Sequence, residues 1–472
     1  MKKSWQSKES QTDRRISMYE YMNKQGGDMN KKIHLGRRSF LKTAVLGMIG
    51  GGMAAKGGWA GEREAAGKYG QETKDISSLK IKGYRILGRT GFKVSDLAVG
   101  QVQNEGLMSA LLDAGMNYID TAESYPGHHR IVGKAIKGHD RKSIFITSKM
   151  LMEGDISKEG LIKRVYKALE ELDMEYIDCM MMHLPDKLET LKTESFHAAM
   201  AQLKSDGKIR HVGASHHGSF WFKDPEETME KILLAAADDG RFDVFLMAYN
   251  FLQMDQAEKV LKVCKKKKIG TALMKTKPVA AYYLLKSRVE QLEKEGKEIH
   301  PFYKDGLIRF KDKADMAEQF IKKHDLKNLD EINAAAIRFV LDNPNVNTVC
   351  CSLRNYDEME RFIPLSGSKL SDQDKAKLAA YKENCGELYC RHACGVCEPK
   401  CPHGVPVNTI MRYNHYFMAQ GREKEAMLKY ARIPGAKAEM CSECPGYCEA
   451  ACPYNVPIQA MLILAHDQLS LA

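Results

Sequence analysis

The sequence predicts an α/β protein in two parts: a parallel (β/α)8 barrel and, behind it, a smaller, mainly helical, cysteine-rich domain. Three observations predict this. Apolar runs near 96–100, 117–121, 144–149, 176–182, 210–215, 243–249, 269–275 and 346–351 alternate with helical patterns such as Lys158 to Leu172 and Glu226 to Ala237. Eight strand–helix units in roughly 280 residues is the arithmetic of such a barrel. Polar residues able to move protons close several of those runs. After residue 377, eight of the nine cysteines fall into two groups of nearly the same spacing.

The chain has 472 residues, too many for one ordinary core. Residues 1–60 hold twelve Lys and Arg against four Asp and Glu, so +8 of the net +11 sits there and +3 remains for residues 61–472. That distribution leaves no nucleic-acid footprint. The run Lys265 to Lys268 reads as a solvated helix end. The basic amino end reads as an address. Gly36-Arg37-Arg38-Ser39-Phe40-Leu41-Lys42 precedes Thr43 to Ala55, an apolar run rich in Gly and Ala. It resembles a twin-arginine export signal, which implies the twin-arginine translocase as a partner, passage as a folded protein and a periplasmic location. The apolar run is shorter than the ~18 residues of a membrane span, so no stable span is expected. Met29 begins a leader of more typical length than Met1 does.

Residues 61–80, polar and rich in Gly, Lys and Glu, read as a linker. Residues 81–376 read as the barrel and 377–472 as the cysteine domain. Val279 to Lys313 is a long charged insertion after the seventh strand, the natural place for a lid or docking surface.

Asn117 to Tyr125 runs as a short apolar strand that breaks into polar residues, leaving Asp120 at its carboxyl end and Tyr125 in the loop beyond. The next two runs end on Lys149 and His183. In a parallel barrel that rim is where active sites are built. The four make a proton-transfer set. A phenol with pKa near ~10 is a poor acid at neutral pH, but a nearby ammonium stabilises its phenolate and lowers that value. Lys149 is expected to do this for Tyr125, with Asp120 orienting Lys149 and His183 positioning a substrate oxygen.

Asp120, Tyr125, Lys149 and His183 match in type, order and spacing the catalytic tetrad of the aldo-keto reductases. Tyr84 to Gly100 (YRILGRTGFKVSDLAVG) resembles that family's opening hairpin and first strand, and Arg210 to Ser215 (RHVGAS) its fifth. The resemblance covers roughly residues 81 to 365. It implies redox chemistry on a small carbonyl or alcohol substrate, with NADP(H) or NAD(H) as cofactor. Ser215 keeps a nicotinamide-holding position, while His216 stands where Asn is usual. Leu246 replaces a Gln, and Thr276 an aromatic that stacks on the ring. Ser352-Leu353-Arg354-Asn355 stands for the dinucleotide loop after strand eight, with Ser352 and Arg354 as candidate contacts to the cofactor.

The cysteine groups are Cys390-x3-Cys394-x2-Cys397-x3-Cys401-Pro402 and Cys441-x2-Cys444-x3-Cys448-x3-Cys452-Pro453. They resemble the bacterial two-cluster ferredoxins, with one extra residue in each loop. That resemblance implies two [4Fe–4S] clusters, the fourth cysteine of each run serving the other cluster: Cys390, Cys394 and Cys397 with Cys452, and Cys441, Cys444 and Cys448 with Cys401. Zinc sites and structural disulfides are the competing readings. The helical stretch near Thr409 to Tyr430 is expected to separate the loops and pack the domain.

Together these features predict an exported iron–sulfur oxidoreductase of the aldo-keto reductase type, passing single electrons between its clusters and a redox-protein or quinone-linked partner. Free nicotinamide cofactors are cytoplasmic, so an exported enzyme holds a dinucleotide tightly or uses none. Two further readings stay open: an NADP(H)-dependent reductase with structural clusters, and a non-catalytic electron carrier or redox-sensing binding subunit.

Overall fold

The computed structural model describes residues 76–102, 104–216, 227–277, 292–296, 330–385, 389–392, 394–420 and 422–470. The arginine-pair leader, most of the 61–80 linker and most of the Val279 to Lys313 insertion lie outside those residues. Residues 77–152 and 156–472 form one compact unit.

The chain enters through an antiparallel hairpin, β1 (Tyr84–Ile86) and β2 (Lys93–Ser95), in which Ile86 faces Lys93. Its turn needs glycine. Gly88 has φ +50°, and a Cβ there would lie 2.3 Å from the backbone nitrogen of Gly270. Eight parallel strands then close a barrel: β3 (Leu97–Val99), β4 (Tyr118–Asp120), β5 (Phe145–Leu151), β6 (Ile177–His183), β7 (Ile209–His216), β8 (Val244–Ala248), β9 (Gly270–Met274) and β10 (Thr348–Cys351). Each falls on one expected run, although β5 continues two residues beyond Lys149.

Strand alternation sorts the side chains into two layers. Tyr118, Phe145, Cys179 and Met181 point inward and pack with Leu87 and Val94 of the hairpin, which plug the barrel floor. Their neighbours Ile119, Ile146, Met180 and Met182 point outward into the larger core beneath the helices. Those helices are α1 (Glu105–Asp113), α2 (His128–Ala135), α3 (Lys158–Leu172), α4 (Glu194–Ser205), α5 (Met229–Asp239), α6 (Asp255–Lys267), α7 (Asp330–Asp342) and α8 (Tyr356–Phe362). Helix α3 shows the local logic. Ser157 caps it by accepting from Gly160 N, Asp173 ends it at φ 56°, and Leu161, Val165, Leu169 and Leu172 form its buried stripe. Each such fully buried side chain contributes about 1.5–3 kcal/mol. Gly133 lets α2 approach, since a Cβ would stand 2.2 Å from Leu172 O.

Beyond α9 (Asp372–Cys385) the tail has its own apolar core, including Val405, Ile410, Tyr413, Tyr430 and Leu462. The expected helical stretch is two helices, α10 (Val407–Gln420) and α11 (Glu423–Ala431). Gly421, a residue that favours helix ends, separates them in the sequence. Helix α12 (Ile458–Leu469) closes the tail. Leu292, within the insertion, is buried in this same core. No helix of the described residues is long and apolar enough to cross a membrane.

Candidate active site

The alternation that puts Tyr118, Phe145 and Cys179 inside the barrel also turns Asp120, Lys149 and His183 inward, two or four residues further up the same strands. The Lys149 ammonium donates to Asp120 Oδ1 at 2.6 Å and to Thr121 O at 2.7 Å, and Thr147 Oγ1 donates to the same carboxylate at 3.0 Å. The pair is buried, so removing one partner would strand a charge in low dielectric.

Tyr125 is held by its loop. Two residues before it, Glu123 N donates to Lys149 O, and the Glu123 carboxylate accepts from Leu151 N at 2.9 Å and Arg164 Nε at 3.0 Å. This sets the Tyr125 ring 4.9 Å from Lys149 Nζ and edge-on to His183, with ring centroids 6.3 Å apart. All four expected residues therefore meet at one end of the barrel.

The electrostatics differ from the expectation in sign. Burial, and then the Asp120 charge, push the Tyr125 phenol well above its ordinary value. The Lys149 charge is already matched by Asp120. Burial, followed by Lys149, Lys429 and Arg412, keeps His183 neutral. Sequence reasoning missed His128, the first residue of α2, whose ring lies 6.1 Å from that of Tyr125. Its Nε2 accepts from Val102 N at 3.1 Å, which places its proton on Nδ1, 2.8 Å from Thr121 Oγ1. Burial and the neighbouring His129 and Lys149 hold its pKa down at about 3.

The expected cofactor residues divide. Ser215 stands in register with His183 and Leu246, and its buried hydroxyl has no hydrogen-bond partner among the described residues. The buried amide of Gln101, in the loop after β3, is likewise without one. His216 has the opposite strand parity. It is bonded to the Pro185 backbone and brought to about 4 by burial. Ser352 Oγ accepts from Gln101 N at 3.1 Å, and Thr276 Oγ1 lies 3.7 Å from Cys351 Sγ. Arg354 is half exposed and bonded to Glu358 through Nε at 2.6 Å.

The tail helices bring further groups to the tetrad. Tyr416 of α10 accepts from Lys275 Nζ at 3.2 Å, just beyond β9, and the Arg422 guanidinium lies 4.5 Å from its ring centre. Charges on Arg422 and Tyr416 act on Tyr125, and those on Lys429 and Arg412 act on His183. The sequence carried a faint signal: Arg412 and Tyr416, four apart, share a helix face, as do Glu425 and Lys429. Lys275, which donates to Tyr416, is 141 residues away from it.

The eight tail cysteines act on one another electrostatically, Cys448 acting on Cys397 across the two expected groups. Burial raises the Cys390 thiol, and then Cys397, Cys394 and Cys452 raise it further. Cys441 is pushed to about 12 by burial and by Cys448, Cys401 and Cys444. Cys401, Cys441, Cys444 and Cys448 ring a small cavity with Gln459. Cys401 Sγ accepts from Val405 N at 3.4 Å, and Cys390 Sγ from Asn408 Nδ2 at 3.7 Å. The eight tail cysteines and Cys179, Cys264, Cys350 and Cys351 are free thiols. Among the described residues, no three His, Cys, Asp or Glu side chains are grouped to hold a single metal ion.

Comparison with known proteins bears on the barrel. A protein of Schizosaccharomyces pombe named for a voltage-gated potassium channel subunit beta is 31% identical over 203 residues, 38% of this chain and 56% of its own length. The aldo-keto reductase YhdN of Bacillus subtilis is 24% identical over 328 residues, 64% of this chain and 94% of its own. Among solved structures, an aldo-keto reductase of Bacillus halodurans aligns with a TM-score of 0.46 at 20% identity, covering 63% of this chain and 95% of that one. The family description "Aldo/keto reductase family" matches residues 86–383. That span takes in every strand of the closed barrel and all four residues around Tyr125, and by it the chain belongs to the aldo/keto reductase family, oxidoreductases that act on carbonyl groups.

Proposed function

We propose that this protein is an exported iron–sulfur oxidoreductase that interconverts a carbonyl and an alcohol at Tyr125 and exchanges electrons with an outside partner through two [4Fe–4S] clusters in its tail. The observation that carries the reading is the joining of two sites in one compact unit: the tetrad at the barrel mouth, and the two four-cysteine sets of the tail that covers it.

Tyr125 does the proton work. Its phenol keeps its proton at neutral pH, so it can donate to a carbonyl oxygen as the carbon is reduced. The neutral His183 beside it orients that oxygen. Lys149 and Asp120 form a fixed pair under the phenol. The family typically uses a nicotinamide dinucleotide, which supplies or accepts hydride when bound. The residues fit its nicotinamide end, where Ser215 and Gln101 offer buried polar atoms. They fit a phosphate at Arg354 poorly, since its guanidinium is already bonded to Glu358.

The thiol sets fit cubane clusters. The neighbours that act on Cys390 (Cys397, Cys394 and Cys452) and on Cys441 (Cys448, Cys401 and Cys444) support the crossed membership, Cys390, Cys394 and Cys397 with Cys452, and Cys441, Cys444 and Cys448 with Cys401. In a cubane each thiolate binds a different iron corner, so the sulfurs stand farther apart than around one ion. Such a cluster, when bound, exchanges single electrons. Insertion of the clusters before export would require a folded passenger, in keeping with the Arg37-Arg38 leader.

The test is anaerobic purification followed by metal analysis. About eight irons and eight acid-labile sulfides are expected, and Cys397→Ser and Cys444→Ser should each lose one cluster's signal. Stoichiometric zinc would overturn the cluster assignment. Arg37→Lys with Arg38→Lys should leave precursor in the cytoplasm, and an unchanged periplasmic yield would overturn the export assignment.

A further inference from the structure

We propose that His128 is a positioning residue for the reaction at Tyr125: it clamps the loop that carries the Tyr125 hydroxyl and ties it to the neighbouring loop after β3. The proposal deepens the reading above and rests on it, since it takes Tyr125 as the group that moves the proton.

His128 opens α2 directly after Gly127, whose φ of +71° bends the chain into the helix. The residue is fully buried. It grips the β4 loop at two points. Its backbone N–H donates to Tyr125 O at 3.1 Å, and its ring Nδ1 lies 2.8 Å from Thr121 Oγ1. Between those points stand only Ala122, Glu123 and Ser124. The imidazole also meets the Tyr125 ring edge-on, with centroids 6.1 Å apart and planes at 76°. Its other nitrogen, Nε2, accepts from Val102 N at 3.1 Å. One side chain therefore joins two strand-end loops and packs on the phenol ring.

Thr121 carries the tie onward to the next strand. Its N–H donates to Thr147 O at 2.9 Å, and its carbonyl accepts from Lys149 Nζ at 2.7 Å. Thr121 thus meets His128 through its side chain and Lys149 through its backbone. If Thr121 moves, the ammonium and the phenol shift relative to each other. Proton transfer to a carbonyl oxygen is sensitive to such shifts, since a misplacement of about 1 Å can cost about 10²-fold in rate.

The hydrogen bonds also decide what His128 does not do. Val102 N–H can only donate, so Nε2 is the acceptor and the ring proton sits on Nδ1, where it is donated to Thr121 Oγ1. Both nitrogens are committed inside the protein, and neither is left for a substrate oxygen. A second proton would set an N–H of the ring against the N–H of Val102. Burial, with the charges on His129 and Lys149, agrees with a neutral ring by holding its pKa at about 3. The clamp therefore keeps one tautomer across the pH range in which the enzyme is assayed. His128 acts through Tyr125 rather than beside it.

The experiment is a double-mutant cycle on the full, cluster-loaded protein. It reads kcat and KM for the best of a panel of aldehydes and ketones, 4-nitrobenzaldehyde among them, with NADPH or NADH as hydride donor. His128→Ala should lower kcat by about 10–100-fold and leave KM within about threefold, because orientation is lost and binding is not. Once Tyr125→Phe has removed the hydroxyl, adding His128→Ala should change kcat by less than about twofold. His128→Asn, whose amide can still donate to Thr121 Oγ1, should lose less than His128→Ala. A His128→Ala loss that persists in full on the Tyr125→Phe background, or that appears in KM alone, overturns the positioning role. Histidine 15N NMR of the unaltered protein keeps the clamp testable even if a variant misfolds. His128 should show the Nδ1–H tautomer and no titration between about pH 5 and 8. An Nε2–H tautomer, or titration in that range, overturns the clamp. Near-parent kcat in Tyr125→Phe alone overturns instead the catalytic reading on which the role rests, and the NMR result separates that failure from a failure of the clamp.

Discussion

Two buried tyrosines, Tyr125 and Tyr416, lie near enough to act on each other electrostatically, each beside a lysine, and their phenols shift in opposite directions. Tyr125 on the barrel side is raised well above its usual value, whereas Tyr416 on the tail side is lowered to about 7. Burial raises both. The difference is the net charge around each ring. Lys149 is matched by Asp120 at 2.6 Å, so Tyr125 feels burial and a carboxylate more than it feels an ammonium. Lys275 is joined by Arg412, Arg422 and Lys429, with Glu425 shared between two of the four. A lysine next to a tyrosine therefore does not decide the phenol's acidity; the charge balance of the whole shell does. The barrel side is built to hold a proton, and the tail side to release one.

The largest effect should come from the proton holder. Tyr125→Phe removes the hydroxyl and leaves the ring that packs against His183, so turnover should fall by about 10²–10⁴-fold while the fold stays intact. Steady-state rates with a panel of carbonyl substrates, beside far-UV circular dichroism, check this. Near-normal turnover would mean that the barrel's tetrad is a relic and that the binding-subunit reading applies.

The charge balance predicts the next effect. Asp120→Asn keeps the shape but leaves the Lys149 ammonium buried without its counter-charge, at a cost of about 3–5 kcal/mol in unfolding free energy. It should also acidify Tyr125. The phenol's pKa is raised partly by the Asp120 charge, so deleting that charge lowers it. In alcohol oxidation the phenolate acts as base, and its rate limb should move to lower pH. A limb that stays put would mean that burial alone sets the Tyr125 value.

These two predictions rest on residues that the sequence exposed and the next ones on residues it hid, for a physical reason. Tyr118 to Asp120, Phe145 to Lys149 and Cys179 to His183 obey a two-residue alternation inside single strands, so apolar runs ending in chemistry can be read along the chain. Barrel closure then follows from repetition. The sign of the Tyr125 shift was not legible, because it depends first on how deeply the ring is buried and then on the Asp120 charge brought beside it from another strand. The cations around Tyr416 were less legible still. Arg412, Arg422 and Lys429 look like ordinary solvated positions of two short helices until the tail folds onto Lys275.

On the tail side the effects should be smaller and seen by spectroscopy. Phenolate absorbance near 295 nm should rise through pH about 7 in the parent protein, and Tyr416→Phe should abolish that step. Because the folded value lies below that of an unfolded tyrosine, near ~10, the unfolded chain binds more protons between those limits. Tyr416 therefore adds stability that is present at high pH and lost as pH falls through about 7. The difference in stability between parent and Tyr416→Phe should shrink over that window. Glu425→Gln removes the carboxylate shared by Arg422 and Lys429 and should move the absorbance step to lower pH.

The smallest effect is expected at Arg354, and it sharpens the contrast between cations that matter and cations that are solvated. Like Lys275, Arg354 follows a barrel strand, and it is the natural candidate for an adenosine phosphate. In the fold its guanidinium bonds Glu358 four residues on, with about half of the side chain still exposed. Exposed ion pairs of this helical spacing contribute about 0.3–0.5 kcal/mol because solvent screens them and two long side chains must be ordered. Arg354→Ala should therefore change stability by no more than that and leave dinucleotide affinity within twofold (about 0.4 kcal/mol). Isothermal titration of NADP+ and NAD+ against parent and variant checks both cofactors. A loss of tenfold or more for NADP+ alone would show that Arg354 leaves Glu358 for a 2′-phosphate when the cofactor arrives, and would restore the assignment that its type and position first suggested.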